Sequence, residues 1–484
     1  MKEVKAYVGS LLSANRMDVS ANRTSLFEDF VESQHCKEAV ITILEKQREI
    51  MEKWHLKNRI FDIVNQQIVV PNATIGKAYE AKLDFERLNL TDLILKDFEG
   101  LNEIGLNFNT DTNTIEGIPS QSGDLKFKLI FKLDGESADA APNEKLISLV
   151  VNPDPKTLWK DIPSDTSALF WKEDNASIAT KFGEKNIVVS SKRGRSHKNV
   201  GSFREDDFAI KHFQKTGWSV VAISDGAGSY SLSRKGSQLA CAGVIEYFEH
   251  NQNIEKAKEF EIKLAEYNSS PNEALLKDIE ILAKQNLYKA SLFAHNKIKE
   301  HSEKTFESNP ELFNNPKAKS AMDYYHATLI FSLFKKYDFG YVVLTFGVGD
   351  CPIAVMNKEQ TETTLMNWLD VGEHGGGTRF ITEPDIFTNA ERPIITRFNF
   401  KIISDFSYLF LMTDGIYDAK FVVEANLENH DKWMDFLADL GGDNEDKSIV
   451  HINPDNSEIA EQLSAWMDFW SSGNHDDRTL AIIY

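Results

Sequence analysis

Aspartates at the ends of strand-like segments are the residues of this chain that point most directly to chemistry. Residues 218–229, WSVVAISDGAGS, run from an apolar stretch into Asp225, which is followed closely by Gly226 and Gly228. The apolar stretch suits a buried strand, and the glycines allow a tight turn around the carboxylate. A carboxylate beside an apolar core is costly unless a positive charge, such as a divalent cation, neutralises it.

The same pattern of an apolar run next to aspartate recurs at four other places. They are FREDDFAI (203–210), YVVLTFGVGD (341–350), YLFLMTDG (408–415) and HDDRTLAIIY (475–484). Each one alone is typical of a turn. If the strands share a sheet or two facing sheets, their carboxylates gather at one edge, where mutual repulsion raises their pKa values unless cations bind. Hard oxygen donors without a His/Cys cluster of zinc spacing favour Mg²⁺ or Mn²⁺.

The segments that carry these aspartates are predicted to belong to one large domain, residues 166–484. Within it, residues 253–325 are rich in Lys, Glu, Ala and Leu at helical spacing, with breaks at Pro271 and at the Asn-Pro pairs near 309 and 315. The charges of this block are interpreted as a solvated helix face.

Three regions precede that domain. Residues 1–64 are predicted to be a helical segment, and an intermittent apolar stripe from residue 27 onward indicates one or two amphipathic helices. These helices are either packing elements or a partner-binding surface. Residues 65–152 carry short β-like runs separated by turn residues, which predicts a small all-β sandwich. Residues 153–165 contain proline and little periodicity, and are predicted to be a linker.

Composition argues against several classes of function. With 484 residues and a formal charge of −20, the chain is not expected to bind nucleic acid or an anionic membrane. Its three cysteines, Cys36, Cys241 and Cys351, indicate neither a disulfide framework nor a cysteine zinc site. The first residues lack the apolar core of a signal peptide, and no stretch approaches the roughly 20 apolar residues of a membrane span. We therefore expect a cytoplasmic protein.

Residues 105–129, GLNFNTDTNTIEGIPSQSGDLKFKL, resemble the putative-immunoglobulin cadherin-like repeat. The resemblance implies an immunoglobulin-like sandwich over residues 65–152. Asp111 and Asp124 fit either calcium ligands or ordinary turn residues, and we favour turns. An adhesion protein built around this repeat is a rival interpretation. The missing signal peptide and the dominant C-terminal domain argue against it.

The motifs SDGAGS, HATLIF, GVGDC, MTDG and HDDRTLAII occur in this order, and GTRFIT at residues 377–382 is a weaker echo. They resemble those of the type 2C (PPM) metal-dependent serine/threonine protein phosphatases, divergent bacterial branch, over roughly residues 166–484. The resemblance implies an α+β domain of two antiparallel β-sheets sandwiched between helices. It also implies hydrolysis of phosphoserine and phosphothreonine monoesters by a water that a dinuclear metal centre activates.

Matching the motifs position by position implies a set of metal ligands. These are Asp206, Asp225, the carbonyl of Gly226, Asp350, Asp414 and Asp476. The implied cofactors are two Mn²⁺ or Mg²⁺ ions, with Asp350 helping to hold a third, and Glu205 orients metal-bound water. Asp207 directly follows Asp206, and Asp477 directly follows Asp476. A shift of the ligand assignment by one residue therefore stays open at each pair.

Two departures from the family pattern concern substrate phosphate and the leaving group. Gly201 stands where relatives carry a phosphate-binding arginine, and Arg195 is our preferred substitute over Arg193 and Arg204. Ala227 occupies the position of a histidine that serves some relatives as general acid.

His197, in GRSHKN, is a candidate for contacting phosphate or donating a proton. The alternative is a structural histidine bonded to backbone.

The expected partner is a phosphoprotein substrate, namely a serine/threonine kinase or its target, which the N-terminal regions help to recruit. Neither nucleic acid nor membrane is an expected partner. The alternative is a catalytically weak pseudophosphatase or adaptor. Retention of costly clustered carboxylates argues against that alternative.

Overall fold

The computed structural model describes residues 2–250, 258–370, 377–471 and 473–484. The chain divides into two compact units, Met1–Leu158 and Trp159–Tyr484. Helices and strands are mixed in an α+β fold, as the sequence predicts. No helix within the described ranges is long and apolar enough to cross a membrane.

The first unit has helices at its N-terminus and two small sheets after them. Its elements are α1 (Lys2–Ala14), α2 (Thr24–Glu32), α3 (Gln34–Asn65), β1 (Ala73–Thr74), β2 (Tyr79–Lys82), β3 (Leu93–Glu99), β4 (Leu106–Asn109), β5 (Thr114–Gly117), β6 (Gly123–Leu133), β7 (Asn143–Asn152) and α4 (Pro155–Leu158). The strand orders are β1-β7-β6-β3, with β1 parallel to β7, and β2-β5-β4. The immunoglobulin-like assignment and the domain boundaries stay predictions.

Alternation along β6 builds the core of this unit. Phe127, Leu129 and Phe131 are each at most 2% exposed, while the residues between them are half-buried, because successive side chains of a strand point to opposite faces. Ile63 near the end of α3 joins the same apolar cluster. Lys145 Nζ donates to the carbonyl of Val64 at 2.9 Å, which satisfies a carbonyl at the C-terminal end of α3.

The second unit contains two sheets and the helices that cover them. Its elements are β8 (Asn175–Phe182), β9 (Lys185–Lys192), α5 (Arg195–Val200), β10 (Asp207–Phe213), β11 (Trp218–Ser224), α6 (Ser233–Glu249), α7 (Lys258–Ser269), α8 (Glu273–Ser308), β12 (Leu329–Tyr337), β13 (Gly340–Val348), β14 (Ile353–Asn357), β15 (Thr363–Leu365), β16 (Phe398–Ile403), β17 (Phe406–Met412), α9 (Asp414–Phe421), α10 (His430–Leu440), α11 (Ile459–Trp466) and β18 (Arg478–Ile483).

The predicted sandwich of two antiparallel sheets between helices is confirmed. One sheet has the strand order β10-β11-β12-β13-β16 and the other β15-β14-β17-β18-β9-β8, and every strand pair is antiparallel. Val221 of the first sheet and Leu411 of the second belong to one buried cluster between the sheets. Val220 packs with α6 and α8 on the outer face, and Phe410 packs with α10 and α11 on the other.

Burial on both faces explains the apolar run that ends at Asp225. All seven residues of β11 are buried, because one face of the strand meets the second sheet and the other meets helices. A strand covered on both sides needs no polar alternation.

Strand register brings the acidic segments to one end of the sandwich. Asp207 pairs with Ser224, so residues 206 and 225 leave neighbouring strands at the same end. Leu329 pairs with Val348, so residue 350 follows there too. In the second sheet Met412 pairs with Leu480, which places residues 414 and 476 at that end.

The predicted helical block is confirmed where the structure describes it, and residues 253–257 of that prediction lie outside the described residues. α7 ends before Pro271, and α8 starts after Asn272, whose side chain accepts from Leu275 N at 2.9 Å. Such an N-cap satisfies one of the unpaired N–H groups at a helix start.

The second half of the predicted linker is bonded within the second unit. Lys160 N donates to Asn199 Oδ1 at 3.0 Å, and Ile162 N donates to the carbonyl of Lys198 at 2.9 Å. The sequence did not predict these two hydrogen bonds, because backbone hydrogen bonding does not depend on the periodicity of the side chains.

A buried ion pair supports the loop of Asp350. Arg397 donates to both oxygens of Asp370 at 2.5 and 2.9 Å, and both side chains are at most 3% exposed. Asp370 Oδ2 also accepts from Gly349 N at 2.9 Å, which fixes the backbone directly before Asp350. The charges therefore neutralise each other and position a candidate ligand.

We expect Asp370→Asn to lower the free energy of unfolding by about 3 kcal/mol, because it leaves the buried Arg397 charge uncompensated. Urea denaturation followed by tryptophan fluorescence measures this change. Asp435→Asn is the matched control, because Asp435 pairs with Lys432 at 2.9 Å on the surface and its loss should cost less than about 1 kcal/mol. Equal effects of the two substitutions would contradict the role of burial.

Candidate metal centre

The five predicted ligand aspartates lie within electrostatic reach of one another at the common end of the two sheets. Burial, followed by the charges of Asp414, Asp206, Asp476 and Asp350, raises the pKa of Asp225 well above its ordinary value. Burial and the same neighbours raise the pKa of Asp414 as well. Five carboxylates in one place repel one another strongly, so the arrangement fits cation binding.

Asp206 is held by two hydroxyl groups on one oxygen only. Thr413 Oγ1 and Thr479 Oγ1 donate to Oδ2 at 2.8 and 2.7 Å. Oδ1 is buried and has no hydrogen-bond partner among the described residues. Burial and the charge of Asp477 raise the pKa of Asp206 to about 7. The threonines thus orient the carboxylate and leave one oxygen available.

Asp350 repeats this arrangement. Thr378 Oγ1 donates to its Oδ2 at 2.7 Å, while Oδ1 is buried without a partner in the described part of the chain. One ligand atom each from Asp225, Asp350 and Cys351 lie within 4.8 Å of one another. Burial raises the pKa of the Cys351 thiol well above its ordinary value, which keeps the thiol neutral and a poor ligand. The unpartnered carboxylate oxygens therefore fit a hard divalent cation.

The backbone at Gly226 is consistent with the predicted carbonyl ligand. Gly226 faces Ala327 in an isolated antiparallel bridge. The two hydrogen bonds of the bridge use the carbonyl of Asp225 and the N–H of Ala227, at 2.8 and 3.0 Å, so the Gly226 carbonyl is not needed for it. A Cβ at position 226 would lie 2.8 Å from the carbonyl oxygen of Glu205, and this close approach requires glycine.

The adjacent acids Asp476 and Asp477 differ sharply in their surroundings. Asp477 is 2% exposed, and its two oxygens accept from four nitrogen donors. These donors are Gly194 N (2.6 Å), His197 Nδ1 (2.9 Å), Glu205 N and Asp206 N (3.4 Å). Burial opposes ionisation, but His197 and the backbone donors hold the pKa of Asp477 below its ordinary value. The side chain of Asp476 is 51% exposed, so Asp476 is the freer of the two candidate ligands.

Asp207 is held in an ion pair with Lys172. Lys172 Nζ donates to Asp207 Oδ2 at 3.0 Å and to the carbonyl of Asp206 at 2.7 Å. The lysine side chain is 9% and the Asp207 side chain 14% exposed. A shift of the ligand assignment from Asp206 to Asp207 would break this pair.

His197 is hydrogen-bonded to a carboxylate, not to backbone as the structural alternative assumed. Nδ1 lies 2.9 Å from Asp477 Oδ1, and Nε2 lies 3.9 Å from Asp476 Oδ1. Burial opposes protonation, but Asp477 dominates and raises the pKa of His197 to about 10. His197 is therefore expected to be protonated at neutral pH, which places a positive charge beside the aspartates.

Glu205 lies close to this histidine. Its Oε2 is buried without a partner among the described residues, and burial raises its pKa to about 7. A Cβ on Gly228 would lie 3.5 Å from Glu205 Oε2 and 3.6 Å from His197 Nε2. Both groups therefore line the turn that follows Asp225.

The three candidate arginines are all engaged in contacts. Arg193 donates to the carbonyls of Ser202 and Ile162 at 2.8 and 2.9 Å. Arg204 donates to the carbonyl of Asp206 at 2.7 Å.

Arg195 lies nearer the surface than the other two. It donates to the carbonyl of Asp468 at 2.5 Å and stacks over Trp470 at 5.6 Å. It forms no ion pair with the five aspartates in the described structure.

Sequence reasoning missed the hydroxyl groups that orient the ligands and one further acid. Asp418 contributes to the raised pKa of Asp414. The two residues lie four apart on α9, a spacing that places side chains on the same helix face and could have indicated the neighbour. Thr413 and Thr479 lie inside the MTDG and HDDRTLAII segments, but their hydrogen bonds to Asp206 join distant parts of the chain.

Comparison with known proteins gives matches of sequence family and of structure. Structural matches include Stp1, a serine/threonine phosphatase from Staphylococcus aureus (16% identity, 64% of this chain and 98% of that chain, TM-score 0.33). A serine/threonine phosphatase of S. agalactiae matches at 12% identity over 62% of this chain and 99% of that chain, with a TM-score of 0.33. A bacterial serine phosphatase matches at 15% identity over 61% of this chain and 96% of that chain, with a TM-score of 0.31.

No curated protein sequence matches the chain. The family model described as protein phosphatase 2C matches residues 193–468, which is more than half of the chain. Those residues include the acidic segments of Asp206, Asp225, Asp350 and Asp414. The chain therefore belongs to the protein phosphatase 2C family of metal-dependent protein phosphatases.

Proposed function

We propose that this protein hydrolyses phosphoserine and phosphothreonine monoesters with two bound Mn²⁺ or Mg²⁺ ions. One observation carries the proposal: five aspartates from separate segments converge, and buried oxygens of Asp206 and Asp350 lack partners in the described residues. A binding-only descendant would gain nothing from keeping such a costly cluster.

The residues that would hold the two ions are Asp206, Asp225, the Gly226 carbonyl, Asp414 and Asp476. Asp350 would hold a third ion. When bound, divalent ions of this kind lower the pKa of water and neutralise charge on a phosphoryl group.

The surrounding side chains supply orientation and charge. Glu205 offers a buried acceptor oxygen that would orient the attacking water through a hydrogen bond. His197, charged at neutral pH because of Asp477, would present a positive charge to the substrate phosphate. Ala227 cannot protonate the leaving group, so the alkoxide would take its proton from His197 or from solvent.

Arg195 is our proposed second contact to phosphate. It begins α5, directly after Gly194, and the backbone of Gly194 packs closely against Asp476. Its Nε is buried without a partner within the described residues. Release of the Asp468 carbonyl would allow the guanidinium to reach an incoming phosphate.

The substrate is proposed to be a phosphoprotein, either a partner serine/threonine kinase or the target of that kinase. The formal charge of −20 supports this choice over nucleic acid. Residues 1–158 are proposed to help recruit the partner.

We expect Asp225→Asn to reduce hydrolysis of p-nitrophenyl phosphate and of a phosphothreonine peptide at least about 100-fold with Mn²⁺ present, because a shared ligand is lost. EDTA should abolish wild-type activity, and added Mn²⁺ should restore it. Thermal unfolding without metal checks folding. The melting temperature of Asp225→Asn should not lie below that of the wild type, because Asp225 carries a raised pKa and its ionised form destabilises the folded state.

Activity that survives EDTA or Asp225→Asn would contradict the metal mechanism. An inactive wild type with every metal tested would favour the adaptor alternative. Asp435→Asn, which changes an exposed aspartate, serves as the control for the substitution itself.

Asp476 and Asp477 should separate metal binding from folding. We expect Asp476→Asn to raise the Mn²⁺ concentration needed for half-maximal activity at least about tenfold, with unchanged metal-free stability. Asp477→Asn should instead lower the free energy of unfolding by about 2–4 kcal/mol, because a buried acceptor of four N–H donors is changed. Phosphatase activity measured against Mn²⁺ concentration, and urea denaturation without metal, measure the two effects. The reverse pattern would reassign the ligand to Asp477.

Arg195→Ala is expected to raise KM for the phosphopeptide about tenfold with a smaller effect on kcat, because a phosphate contact is lost. Steady-state kinetics measure the split. Arg392→Ala is the matched control, because Arg392 also stacks on a tryptophan, Trp368, at 5.0 Å. An unchanged KM for Arg195→Ala would rule out the proposed contact.

A further inference from the structure

Two parts of helix α3 are already covered by other elements of the first unit. Leu56, Ile60 and Ile63 of its C-terminal half pack on the β core of the first unit. Cys36 and Val40 of its N-terminal half pack with apolar residues of α1 and α2. With 32 residues, α3 extends about 48 Å, well beyond the short helices that cover its start.

Beyond the part that α1 and α2 cover, the same face of α3 carries large apolar side chains in solvent, because Cys36 lies seven residues before Ile43 on the helix. Ile43 is 39%, Ile50 67%, Trp54 65% and Phe61 67% exposed. Their spacings of seven, four and seven residues place them within about 40° of arc at 100° per residue. Scattered exposed apolar residues are ordinary, but an aligned stripe of this size marks an interaction surface.

The stripe follows an alternating four-three spacing when the polar positions between these residues are included. The six positions are Ile43, Gln47, Ile50, Trp54, Lys57 and Phe61. This is the seam of a coiled coil. The order apolar, polar, apolar, apolar, polar, apolar is the same from either end. A helix that carries the same sequence in the opposite direction therefore matches it position by position.

We propose that α3 pairs with α3 of a second copy of this chain in an antiparallel arrangement, along the stripe. Ile50 then meets Trp54 of the second copy, and Ile43 meets Phe61, so every large apolar residue faces another. A parallel pair would instead place the two Lys57 charges opposite each other in the seam, which is unfavourable.

The polar positions support the antiparallel direction. Gln47 meets Lys57 of the second copy. Gln47 Nε2 donates to Tyr7 OH at 3.1 Å, which leaves its Oε1 free to accept from the lysine. Lys53 flanks the centre of the seam, and Glu49 on the same helix balances its charge at 2.5 Å.

Sedimentation equilibrium of the full chain from about 1 to 100 µM tests the pairing. We expect a mass near twice the 54.9 kDa of one chain. Ile50→Glu should raise the apparent dissociation constant at least about tenfold. A monomeric wild type, or an unchanged dimer in Ile50→Glu, would overturn the proposal.

Ile41→Glu is the matched control. Ile41 is 51% exposed on the same helix but lies about 160° around it from Ile43. The same substitution there should leave the dimer intact. Dissociation by Ile41→Glu to the same degree would show that helix stability, not the stripe, is measured. Circular dichroism of both variants confirms that the helix is retained.

Cross-linking tests the direction of the helices. Ile50→Cys mixed with Trp54→Cys should form a disulfide between the two variants, while each variant alone should form much less. Strong self-cross-linking of each variant alone would instead establish a parallel pair and overturn the antiparallel proposal. The native cysteines do not interfere, because all three are buried.

Discussion

Repulsion among buried carboxylates is the constraint around which the second unit is organised. Asp206, Asp225 and Asp414 all have raised pKa values because burial and neighbouring negative charges disfavour ionisation. A fold can tolerate such a cluster only if cations neutralise it or if protons remain bound. The remaining structure at this end of the sandwich keeps the carboxylates in place while leaving oxygens free, which is what a metal centre needs.

Backbone contacts at glycines bring the acidic segments together. A Cβ on Gly194 would overlap the backbone of Asp476, and one on Gly415 would overlap the carbonyl of Asp477. The segments that carry Asp414 and Asp476 thus touch through main chain, where no side chain fits. Asp477 then ties this corner to Glu205 and Asp206 through their N–H groups. The ligands converge because loops from both sheets share one hydrogen-bonded backbone network.

The sequence predicted those features of the second unit that depend on neighbouring residues in the chain. The run before Asp225 indicated a buried strand because both its faces meet apolar layers, and the strand-end aspartates indicated a shared edge because antiparallel register aligns strand ends. The ion pair of Asp207 with Lys172 and the saturation of Asp477 were not predictable. Both join residues far apart in sequence, and no spacing rule encodes such contacts. The family resemblance selected Asp476 over Asp477 as a metal ligand, and the hydrogen bonds that occupy Asp477 give a physical reason to prefer Asp476.

The engagement of Arg195 shows why residue type alone cannot assign a role. A guanidinium near an acidic cluster is attracted both to that cluster and to carbonyl groups, and Arg195 takes the carbonyl of Asp468 and the face of Trp470. An arginine paired with the aspartates would neutralise them and compete with cations for the same oxygens. Holding Arg195 on a neutral carbonyl keeps its charge beside the centre without occupying it. Under the proposed function, a phosphate with two or more negative charges would draw the guanidinium away from the carbonyl, because a charge-assisted bond to phosphate is stronger than one to a neutral carbonyl.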